Sequence, residues 1–255
     1  MGGIQMRIAI VTGASSGIGR EFVRQLDKCM KTIDEIWVIG RQEKRLKELK
    51  EKVNNIHLRI LTLDLSKKMD IDIFSHLLAS EKPEVRLLVQ SAGVGYSGSF
   101  MDRTRTEAEE TITINDLALV SVAHVVIPYM TNPSNMIMMA SASAFTPQKE
   151  FAVYAASKAF VLSFARALNA ELKDDGIAVT AVCPGPVETA FLKKCNGDKE
   201  EKPLKEKVKV SPAPVVRKAL ADAKTGRDIS VYGVPMKLVH VAAKILPSKL
   251  LLKFM

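Results

Sequence analysis

The clearest indication of the fold is the stretch Ile8-Ala-Ile-Val11-Thr12-Gly13-Ala-Ser15-Ser16-Gly17-Ile18-Gly19. Its apolar, β-branched start predicts a buried strand, and the helical periodicity of residues 17–29 predicts a helix directly after the glycine turn. Glycines let a pyrophosphate approach the backbone, and the helix start offers free N–H groups. An ordinary glycine and serine turn is the alternative. We predict a dinucleotide site held by Gly13, Ser15, Ser16, Gly17, Ile18 and Gly19.

Short apolar runs alternate with amphipathic stretches along the rest of the chain. Apolar runs without polar alternation predict strands that are buried on both faces of a sheet. The predicted strands are 8–11, 36–39, 58–63, 85–89, 136–140, 178–182 and 229–231. The predicted helices are 17–29, 42–53, 71–80, 105–130, 152–173 and 212–223, and the pattern of 105–130 fits one helix or two. This order predicts an α/β fold, a doubly wound Rossmann-type parallel sheet of about seven strands with helices on both faces. No linker divides the chain, so we expect residues 1–255 to form one dinucleotide-binding and catalytic domain.

Composition and charge narrow the class of protein. The chain has 255 residues, of which 47% are hydrophobic and 25% are charged, a balance that excludes an intrinsically disordered chain. Its net charge of +9 is uneven, since residues 1–192 hold 22 basic and 22 acidic side chains whereas residues 193–255 hold 15 and 6. The basic residues lack interleaved aromatics and any binding motif, so we predict no nucleic-acid partner.

The cysteine and histidine spacing predicts neither a disulfide framework nor a metal site. Cys29, Cys183 and Cys195 show no CxxC spacing, and the four histidines match no ligand motif. The N-terminal residues lack the basic and apolar pattern of a signal peptide. We therefore expect a reducing, cytoplasmic compartment.

The residues that follow the second strand bear on the choice between NAD and NADP. A carboxylate at this place accepts from the ribose hydroxyls of NAD, but this chain has Gly40 and then Arg41. A guanidinium binds the additional phosphate of NADP, so Arg41 favours NADP(H). The alternative is that Arg41 only begins a solvated helix face.

Polar and small residues follow the later strands. Asp64, before Leu65, is placed to accept from the adenine amino group or, alternatively, to cap the next segment. A rigid Pro/Gly turn at 184–189 follows the sixth strand and is placed to hold the nicotinamide ring. The small residues that would let the chain pass close to adenosine are Ser91, Ala92 and Gly93.

Tyr154 and Lys158 lie four residues apart in the predicted helix 152–173 and therefore share one face. A nearby ammonium favours a phenolate, so we expect Lys158 to lower the pKa of Tyr154 and to make it a proton donor and acceptor. Ser141 ends the fifth strand and can hydrogen-bond a carbonyl oxygen, with Ser143 as a local competitor. A chance pair on an amphipathic helix is the alternative, because YxxxK alone is a weak motif.

In combination, these motifs resemble those of the single-domain branch of the short-chain dehydrogenase/reductase family. The resemblance rests on TGASSGIG at 12–19, SAG at 91–93, PGPVET at 184–189, and on Asn115, Ser141, Tyr154 and Lys158. It implies an enzyme that moves a hydride between a nicotinamide and a carbonyl or alcohol carbon. The chain departs from the family at Ser91, where an asparagine usually braces neighbouring strands.

The resemblance implies a role for each matching residue. Tyr154 would be the general acid in reduction and the base in oxidation, and Ser141 would steady the carbonyl oxygen. Lys158 would bind the nicotinamide ribose and lower the pKa of the tyrosine, and Asn115 would hold a water that links Lys158 to solvent. The residues that would hold the nicotinamide are Pro184, Gly185, Val187 and Thr189.

The basic last quarter of the chain has two predicted parts. The Lys/Glu-rich segment at about 190–212 corresponds to the substrate-covering lid that the resemblance implies. The segment at about 232–255 is basic and amphipathic, with lysines and no acidic residue. Such a segment lies on an anionic membrane surface or, alternatively, packs as a core or interface helix with snorkelling lysines.

These observations predict an NADP(H)-dependent oxidoreductase that acts on a ketone or secondary alcohol. Met101, Phe145, Phe151 and Phe191 favour an apolar substrate such as a lipid, steroid or oxoacyl compound. A catalytically silent NADP(H)-binding sensor or scaffold is the alternative function, which the retained catalytic set argues against. The family resemblance implies a homodimer or homotetramer in the cytoplasm, with peripheral membrane contact through the basic C-terminal segment as a further expectation.

Overall fold

The computed structural model describes residues 5–196 and 209–247, apart from the side chains of residues 193, 194 and 196. Strands and helices alternate through these residues. The strands are β1 (Arg7–Thr12), β2 (Glu35–Gly40), β3 (His57–Thr62), β4 (Glu84–Gln90), β5 (Met130–Met139), β6 (Ile177–Val182) and β7 (Ile229–Ser230). The α-helices are α1 (Gly17–Cys29), α2 (Glu43–Lys50), α3 (Lys68–Glu81), α4 (Arg105–Ile112), α5 (Ala118–Val126), α6 (Ala152–Glu171), α7 (Ala190–Asn196), α8 (Pro212–Lys224) and α9 (Val234–Ile245).

The seven strands form one parallel sheet in the order β3-β2-β1-β4-β5-β6-β7. Parallel neighbours need crossover connections, and the helices between the strands provide them. The chain reverses its direction of winding between β1 and β4, which lie side by side. This confirms the predicted doubly wound Rossmann-type fold, and the reversal marks the cleft where such sheets bind ligands.

Alternate residues of the strands fill two apolar cores, one on each face of the sheet. In β1, Ile8 and Ile10 belong to the core that includes α3, α5 and α6. Ala9 and Val11 belong to the opposite core, which includes α1, α2 and α8. All four side chains are fully buried, which explains why the strand is a continuous apolar run.

The predicted helix 105–130 is one helical stretch with a defect in its middle. α4 passes into α5 through a π-helical turn at Thr113–Leu117, and a 3₁₀ turn at Ile127–Tyr129 follows α5. The stretch Arg105–Tyr129 is long and apolar enough to cross a membrane by length and composition, but half of its apolar window is buried inside the fold. α5 contributes to the core beside the sheet, so this helix is a core element of the fold.

The fifth strand begins at Met130 rather than at residue 136, where its apolar run predicts it. Residues 131–134 are polar and include Pro133, so they read as a turn in the sequence. They nevertheless extend the strand, because Met130 pairs with Val85 of β4 before the register shifts.

The predicted C-terminal segment is helical where the structure describes it. α9 covers Val234–Ile245, and none of its residues is buried, so these residues do not form a core helix. Residues 197–208 of the predicted lid and residues 248–255 of the predicted basic segment lie outside the described residues.

Candidate active site

The glycine turn between β1 and α1 forms the base of the cleft. Gly13 has a φ of +67°, and a Cβ at this position would lie 2.7 Å from the backbone of Ser91 and Ala92. A Cβ on Gly19 would overlap the carbonyl oxygen of Gly13. Only glycine fits at these two positions, so the turn packs tightly against the loop after β4 at the start of α1, as in turns that bind a pyrophosphate.

The rest of the turn supports anion binding. Ser16 is the N-cap of α1 without a side-chain cap hydrogen bond, and Gly17 has a φ of +54°. The carbonyl oxygen of Ser15 accepts a hydrogen bond from the guanidinium of Arg20 at 2.7 Å, and Ile18 packs against the core that includes α1. The first turn of α1 carries no acidic side chain, so the positive end of its dipole faces the cleft uncompensated.

Arg41 follows β2 and forms an ion pair at the predicted adenosine end of the cleft. Its guanidinium lies 3.6 Å from the carboxylate of Glu110 on α4, and half of its side chain is exposed. Glu110 also accepts a short hydrogen bond from the hydroxyl of Tyr96. Desolvation by burial and this hydrogen bond raise the pKa of Tyr96 to about 12. Sequence reasoning missed Glu110, because nothing in the pattern of α4 shows that its side chain reaches β2.

Asp64 lies within the electrostatic reach of Arg41 but has a local partner. Its carboxylate accepts from the backbone N–H of Ser66 at 3.2 Å and from the hydroxyl of Ser66 at 2.8 Å, which is a local turn contact before α3. The N-cap of α3 is Lys67 and has no side-chain cap hydrogen bond, so Asp64 does not cap that helix. Burial raises the pKa of Asp64, but the hydrogen bonds from Ser66 and the charges of Arg41 and Lys67 together hold it below its usual value. The side chain of Leu65 packs in the core, so only its backbone is available to a cofactor.

The loop after β4 is braced by Thr12, a residue of the TGASSGIG motif to which we assigned no role from the sequence. The hydroxyl of Thr12, the last residue of β1, accepts from the backbone N–H groups of Ser91 at 3.1 Å and of Ala92 at 3.2 Å. Thr12 thereby braces the strands at the place where the family usually has an asparagine. A Cβ on Gly93 would lie 3.6 Å from Nζ of Lys158, so this loop reaches the predicted catalytic residues.

Tyr154 and Lys158 lie on one face of α6, as their spacing predicts, and both are buried. Nζ of Lys158 lies 5.6 Å from the centroid of the Tyr154 ring. The ammonium donates a hydrogen bond to the carbonyl oxygen of Met139 at 2.9 Å. Because Met139 ends β5, this bond fixes the pair at the carboxyl edge of the sheet.

The expected effect of Lys158 on Tyr154 is wrong for this arrangement. Burial raises the pKa of Tyr154 above its usual value, and a hydrogen bond with Ser141 opposes the rise. Burial also lowers the pKa of Lys158 to about 8, against the charge of Asp116, which raises it. The desolvation of the phenol dominates, and the ammonium directs its hydrogen bond to Met139 instead of the tyrosine.

The structure distinguishes the two serines that follow β5. The side chain of Ser141 hydrogen-bonds with Tyr154 and accepts from the backbone N–H of Ser143 at 3.1 Å. The hydroxyl of Ser143 instead donates to Oε1 of Gln148 at 3.2 Å. Ser141 is therefore the serine that can share a substrate oxygen with Tyr154.

Asn115 lies in the π-helical turn, and its side chain is completely buried. Its amide oxygen accepts from the backbone N–H of Val94 and its amide nitrogen donates to the carbonyl oxygen of the same residue, each at 2.9 Å. The amide also donates to the hydroxyl of Ser157 at 3.0 Å. Asn115 thus joins the π-turn, the loop after β4 and α6 around Lys158; its predicted water contact stays a prediction.

Asp116 is a second buried side chain of the π-turn, and sequence reasoning missed it. It is 8% exposed, and its Oδ1 atom has no hydrogen-bond partner among the described residues. Burial raises the pKa of Asp116 to about 6, and the charge of Lys158 opposes the rise. The π-turn therefore places a carboxyl group within the electrostatic reach of Lys158.

The turn after β6 lies against the glycine turn and α9. The carbonyl oxygen of Pro184 accepts from the backbone N–H of Ala142 at 2.8 Å, and a Cβ on Gly185 would lie 2.6 Å from Sδ of Met236. Two further contacts concern the residues implied to hold a carboxamide. The hydroxyl of Thr189 donates to the carbonyl oxygen of Val187 at 3.3 Å, and the methyl group of Thr189 lies 3.3 Å from the Cβ position of Gly17.

Aromatic rings surround Tyr154. Phe151 stacks on it at a centroid distance of 4.3 Å, and Phe191 lies at 5.7 Å in a tilted arrangement. The backbone of Gly95 presses on the same ring, since a Cβ there would lie 2.7 Å from the tyrosine Cδ2. A groove beside Tyr154 is lined in part by Tyr96, Phe100, Arg103, Glu107 and Val153.

Most of the chain matches a known protein family. Residues 7–200 match the family model described as short chain dehydrogenase, and this segment contains the glycine turn, Ser141 and the Tyr154–Lys158 pair. The chain belongs to the short-chain dehydrogenase/reductase family. It is therefore an oxidoreductase of the class that binds NAD(P) and acts on CH–OH groups.

Curated relatives and solved structures agree with this assignment. The chain is 31% identical over 191 residues to an uncharacterised oxidoreductase of Staphylococcus epidermidis, which covers 74% of this chain and 81% of the relative. It is similar to a short-chain dehydrogenase from Sphingobium yanoikuyae in complex with NADPH, with a TM-score of 0.80, 24% identity and 94% and 93% of the two chains covered. A short-chain dehydrogenase/reductase from Burkholderia phymatum in complex with NAD gives a TM-score of 0.79, 17% identity and 96% and 95% coverage.

The described residues fit a dinucleotide. The glycine turn packs its backbone too closely for side chains at Gly13 and Gly19, the first turn of α1 carries no acidic side chain, and Arg41 offers a half-exposed guanidinium after β2. Residues 5–196 and 209–247 contain no cluster of three or more His, Cys, Asp or Glu side chains that could hold a metal ion.

Proposed function

We propose that this protein is an NADP(H)-dependent carbonyl reductase or secondary-alcohol dehydrogenase with an apolar substrate. The observation that carries the proposal is the hydrogen bond between Tyr154 and Ser141 beside the buried ammonium of Lys158, at the carboxyl edge of the sheet. Two hydroxyl groups that meet next to a buried cation can bind a carbonyl oxygen and protonate it.

Each residue of this site has a separate role in the proposed reaction. The nicotinamide supplies or accepts the hydride when it is bound. In the reducing direction, Tyr154 donates its hydroxyl proton to the carbonyl oxygen, and Ser141 holds that oxygen by a hydrogen bond. The ammonium of Lys158, 5.6 Å from the Tyr154 ring, offsets only part of the cost that burial imposes on the phenolate that remains. The hydrogen bonds of Asn115 keep the surrounding backbone in place.

NADP(H) is the proposed cofactor because of the residues after β2. Gly40 leaves room beside Ser15, since a Cβ there would be in ordinary contact at 3.5 Å, and Arg41 offers a half-exposed guanidinium. The solved structures similar to this chain include complexes with NADPH and with NAD, so the fold accepts either cofactor. The charge of Arg41 supports NADP(H), because a guanidinium binds a phosphate by charge-assisted hydrogen bonds.

An apolar substrate is proposed from the rings around Tyr154. Phe151 and Phe191 contact the tyrosine, and Phe145 packs against His240 at a centroid distance of 4.4 Å. Met101 is 88% exposed and stands apart from these rings. Apolar walls with a few polar groups are typical of sites that bind organic substrates.

Turnover measurements test this function. The purified protein is incubated with NADPH or NADH and with matched ketones of increasing apolar surface, and the absorbance of the reduced nicotinamide is followed. We expect consumption of NADPH that is faster for the larger apolar ketones. Binding of NADPH without turnover of any ketone or alcohol would contradict the proposal and favour a cofactor-binding sensor or scaffold.

We also propose that the protein is a cytoplasmic homo-oligomer. Leu117 is 62% exposed and Phe160 44% exposed on neighbouring helical elements, and a second copy would cover such apolar side chains. Light scattering of the intact protein tests this. A mass above that of one chain is expected, and replacement of both residues by glutamate should reduce it.

A further inference from the structure

The helix α9 presents an exposed apolar stripe along one side. Val234, Leu238, Val241 and Ile245 are 51–74% exposed, and their spacing of four, three and four residues aligns them on one helical face. Met236, Val239, His240 and Ala243 lie on the opposite face and are only partly exposed. We call the first four residues the α9 stripe.

Charged residues around the α9 stripe are of one sign. Lys237 and Lys244 are exposed and lie along the same edge of the stripe, seven residues apart. Residues 231–255 contain four lysines and no acidic residue, whereas residues 1–192 are neutral overall. The nearest described carboxylate that acts on this helix is Asp228, and it forms an ion pair with Arg166 at 3.0 Å.

The inner face of α9 contacts the proposed active site. Met236 lies against Gly185 in the turn that follows β6, and His240 packs on Phe145 just after Ser141. Whatever binds to the outer face of α9 is therefore about one helix diameter from Gly185 and Phe145.

We propose that α9 docks the enzyme on an anionic lipid bilayer and that the apolar substrate enters from that bilayer. The α9 stripe would enter the acyl boundary while Lys237 and Lys244 remain at the level of the anionic headgroups. The part of the proposal that concerns substrate entry rests on the proposed function. The docking itself does not.

A second copy of the chain fits this face less well. Two α9 helices packed stripe to stripe would bring Lys237 and Lys244 of each copy together, and no described acidic residue of α9 would compensate them. An anionic bilayer satisfies the apolar stripe and the lysines at once, so it is the occupant that both features support.

Vesicle binding of the intact protein tests the docking. The protein is sedimented with vesicles of phosphatidylcholine alone and with vesicles that contain about a third of phosphatidylserine. We expect binding to the anionic vesicles that decreases at high salt. The double variant Lys237→Ala/Lys244→Ala should bind roughly 30-fold more weakly, and the variant Leu238→Glu/Ile245→Glu should not sediment with vesicles.

Two matched variants separate docking from general surface effects. Met69→Glu replaces another exposed apolar residue, on α3, and Lys44→Ala/Lys52→Ala removes two exposed lysines elsewhere; both should bind vesicles as the wild type does. Equal binding to neutral and anionic vesicles, or unchanged binding of the α9 variants, would overturn the proposal. If the wild type did not bind vesicles but formed a dimer, and the Leu238→Glu/Ile245→Glu variant were a monomer, the α9 stripe would be assigned to a second copy of the chain.

Turnover measurements keep this proposal distinct from the proposed function. With a small water-soluble ketone, the α9 variants should reduce the ketone as fast as the wild type. With a long-chain ketone presented in anionic vesicles, the α9 variants should reduce the ketone more slowly than the wild type. The fall in rate should be at least as large as the fall in their affinity for the vesicles. Vesicle binding without any NADPH turnover would refute the proposed function and the route of substrate entry while supporting the docking surface.

Discussion

The guanidinium of Arg41 lies 3.6 Å from the carboxylate of Glu110, so an ion pair joins the residue after β2 to α4 at the proposed adenosine end of the cleft. A bound 2′-phosphate would compete with Glu110 for this guanidinium. The negative charge of Glu110 would also repel the phosphate. The ion pair therefore opposes the NADP(H) selectivity that Arg41 itself favours. Removal of Glu110 should produce a measurable change in the affinity for NADPH.

Variants at these two positions should change cofactor affinity in opposite directions. Arg41→Ala should weaken NADPH binding about 10- to 100-fold and leave NADH binding nearly unchanged, because charge-assisted hydrogen bonds to a phosphate are lost. Glu110→Gln should tighten NADPH binding several-fold. Fluorescence titration of both nucleotides measures these effects, and equal losses for NADPH and NADH in Arg41→Ala would count against Arg41 as the phosphate ligand.

Removal of the Tyr154 hydroxyl should separate cofactor binding from chemistry. Tyr154→Phe should reduce kcat about 100- to 10,000-fold, since the proton donor is lost, while the Kd for NADPH stays close to that of the wild type. Tyr129→Phe, in the 3₁₀ turn that follows α5, is the matched control and should keep full activity. Substantial activity of Tyr154→Phe would show that another group delivers the proton.

The two serines after β5 allow a sharper comparison. Ser141→Ala should lower kcat roughly 100-fold, because the hydrogen bond to the developing charge on the substrate oxygen is lost. Ser143→Ala should have little effect, since its hydroxyl contacts Gln148 rather than Tyr154. Steady-state kinetics of both variants with one ketone decides between them, and a larger loss for Ser143→Ala would reverse the assignment.

Asp116 should control the pH dependence of turnover through Lys158. Burial lowers the pKa of Lys158 to about 8, even though the charge of Asp116 opposes this fall. Asp116→Asn removes this negative charge, so the pKa of Lys158 should fall further and the basic limb of the kcat profile should move to lower pH. Glu109→Gln, an exposed carboxylate paired with Arg105 on α4, is the control and should leave the profile unchanged.

The same variant should change the dependence of stability on pH. Burial raises the pKa of Asp116 from its unfolded value of 3.8 to about 6, so the folded protein binds the extra proton between these values. The free energy of unfolding contributed by this group therefore decreases as the pH rises from about 4 to 6. Asp116→Asn should be more stable relative to the wild type at pH 7 than at pH 4, and the same difference at both pH values would contradict the assigned burial.

The features that the sequence predicted well are those that depend on local pattern. The strand–turn–helix of residues 8–29 and the four-residue spacing of Tyr154 and Lys158 each lie within one or two elements. Local periodicity and glycine geometry determine them, so the doubly wound class of the fold and the position of the site at the carboxyl ends of the strands could be predicted, whereas the strand order was observed only in the structure.

The features that could not be predicted depend on contacts between distant segments. The bond between Thr12 and the loop after β4, and the ion pair between Arg41 and Glu110, join residues that are 69 or more positions apart. The polar start of β5 is stabilised by pairing with β4 rather than by its own residues. The direction of the pKa shift of Tyr154 depends on how deeply the phenol is buried, which the spacing to Lys158 does not reveal.

Asp27 should stabilise the folded protein mainly by holding the residues just before β3, a strand at the edge of the sheet. It is 8% exposed on α1, and its carboxylate accepts from the backbone N–H groups of Asn55 at 2.8 Å and of Ile56 at 3.0 Å, just before β3. Asp27→Ala leaves these donors without their charged acceptor, so the free energy of unfolding should fall by about 3 kcal/mol. Asp34→Ala, which removes an exposed ion pair with Arg7, should cost about 1 kcal/mol or less. Urea unfolding of both variants at neutral pH measures the difference, and equal losses would show that the carboxylate of Asp27 does not anchor β3.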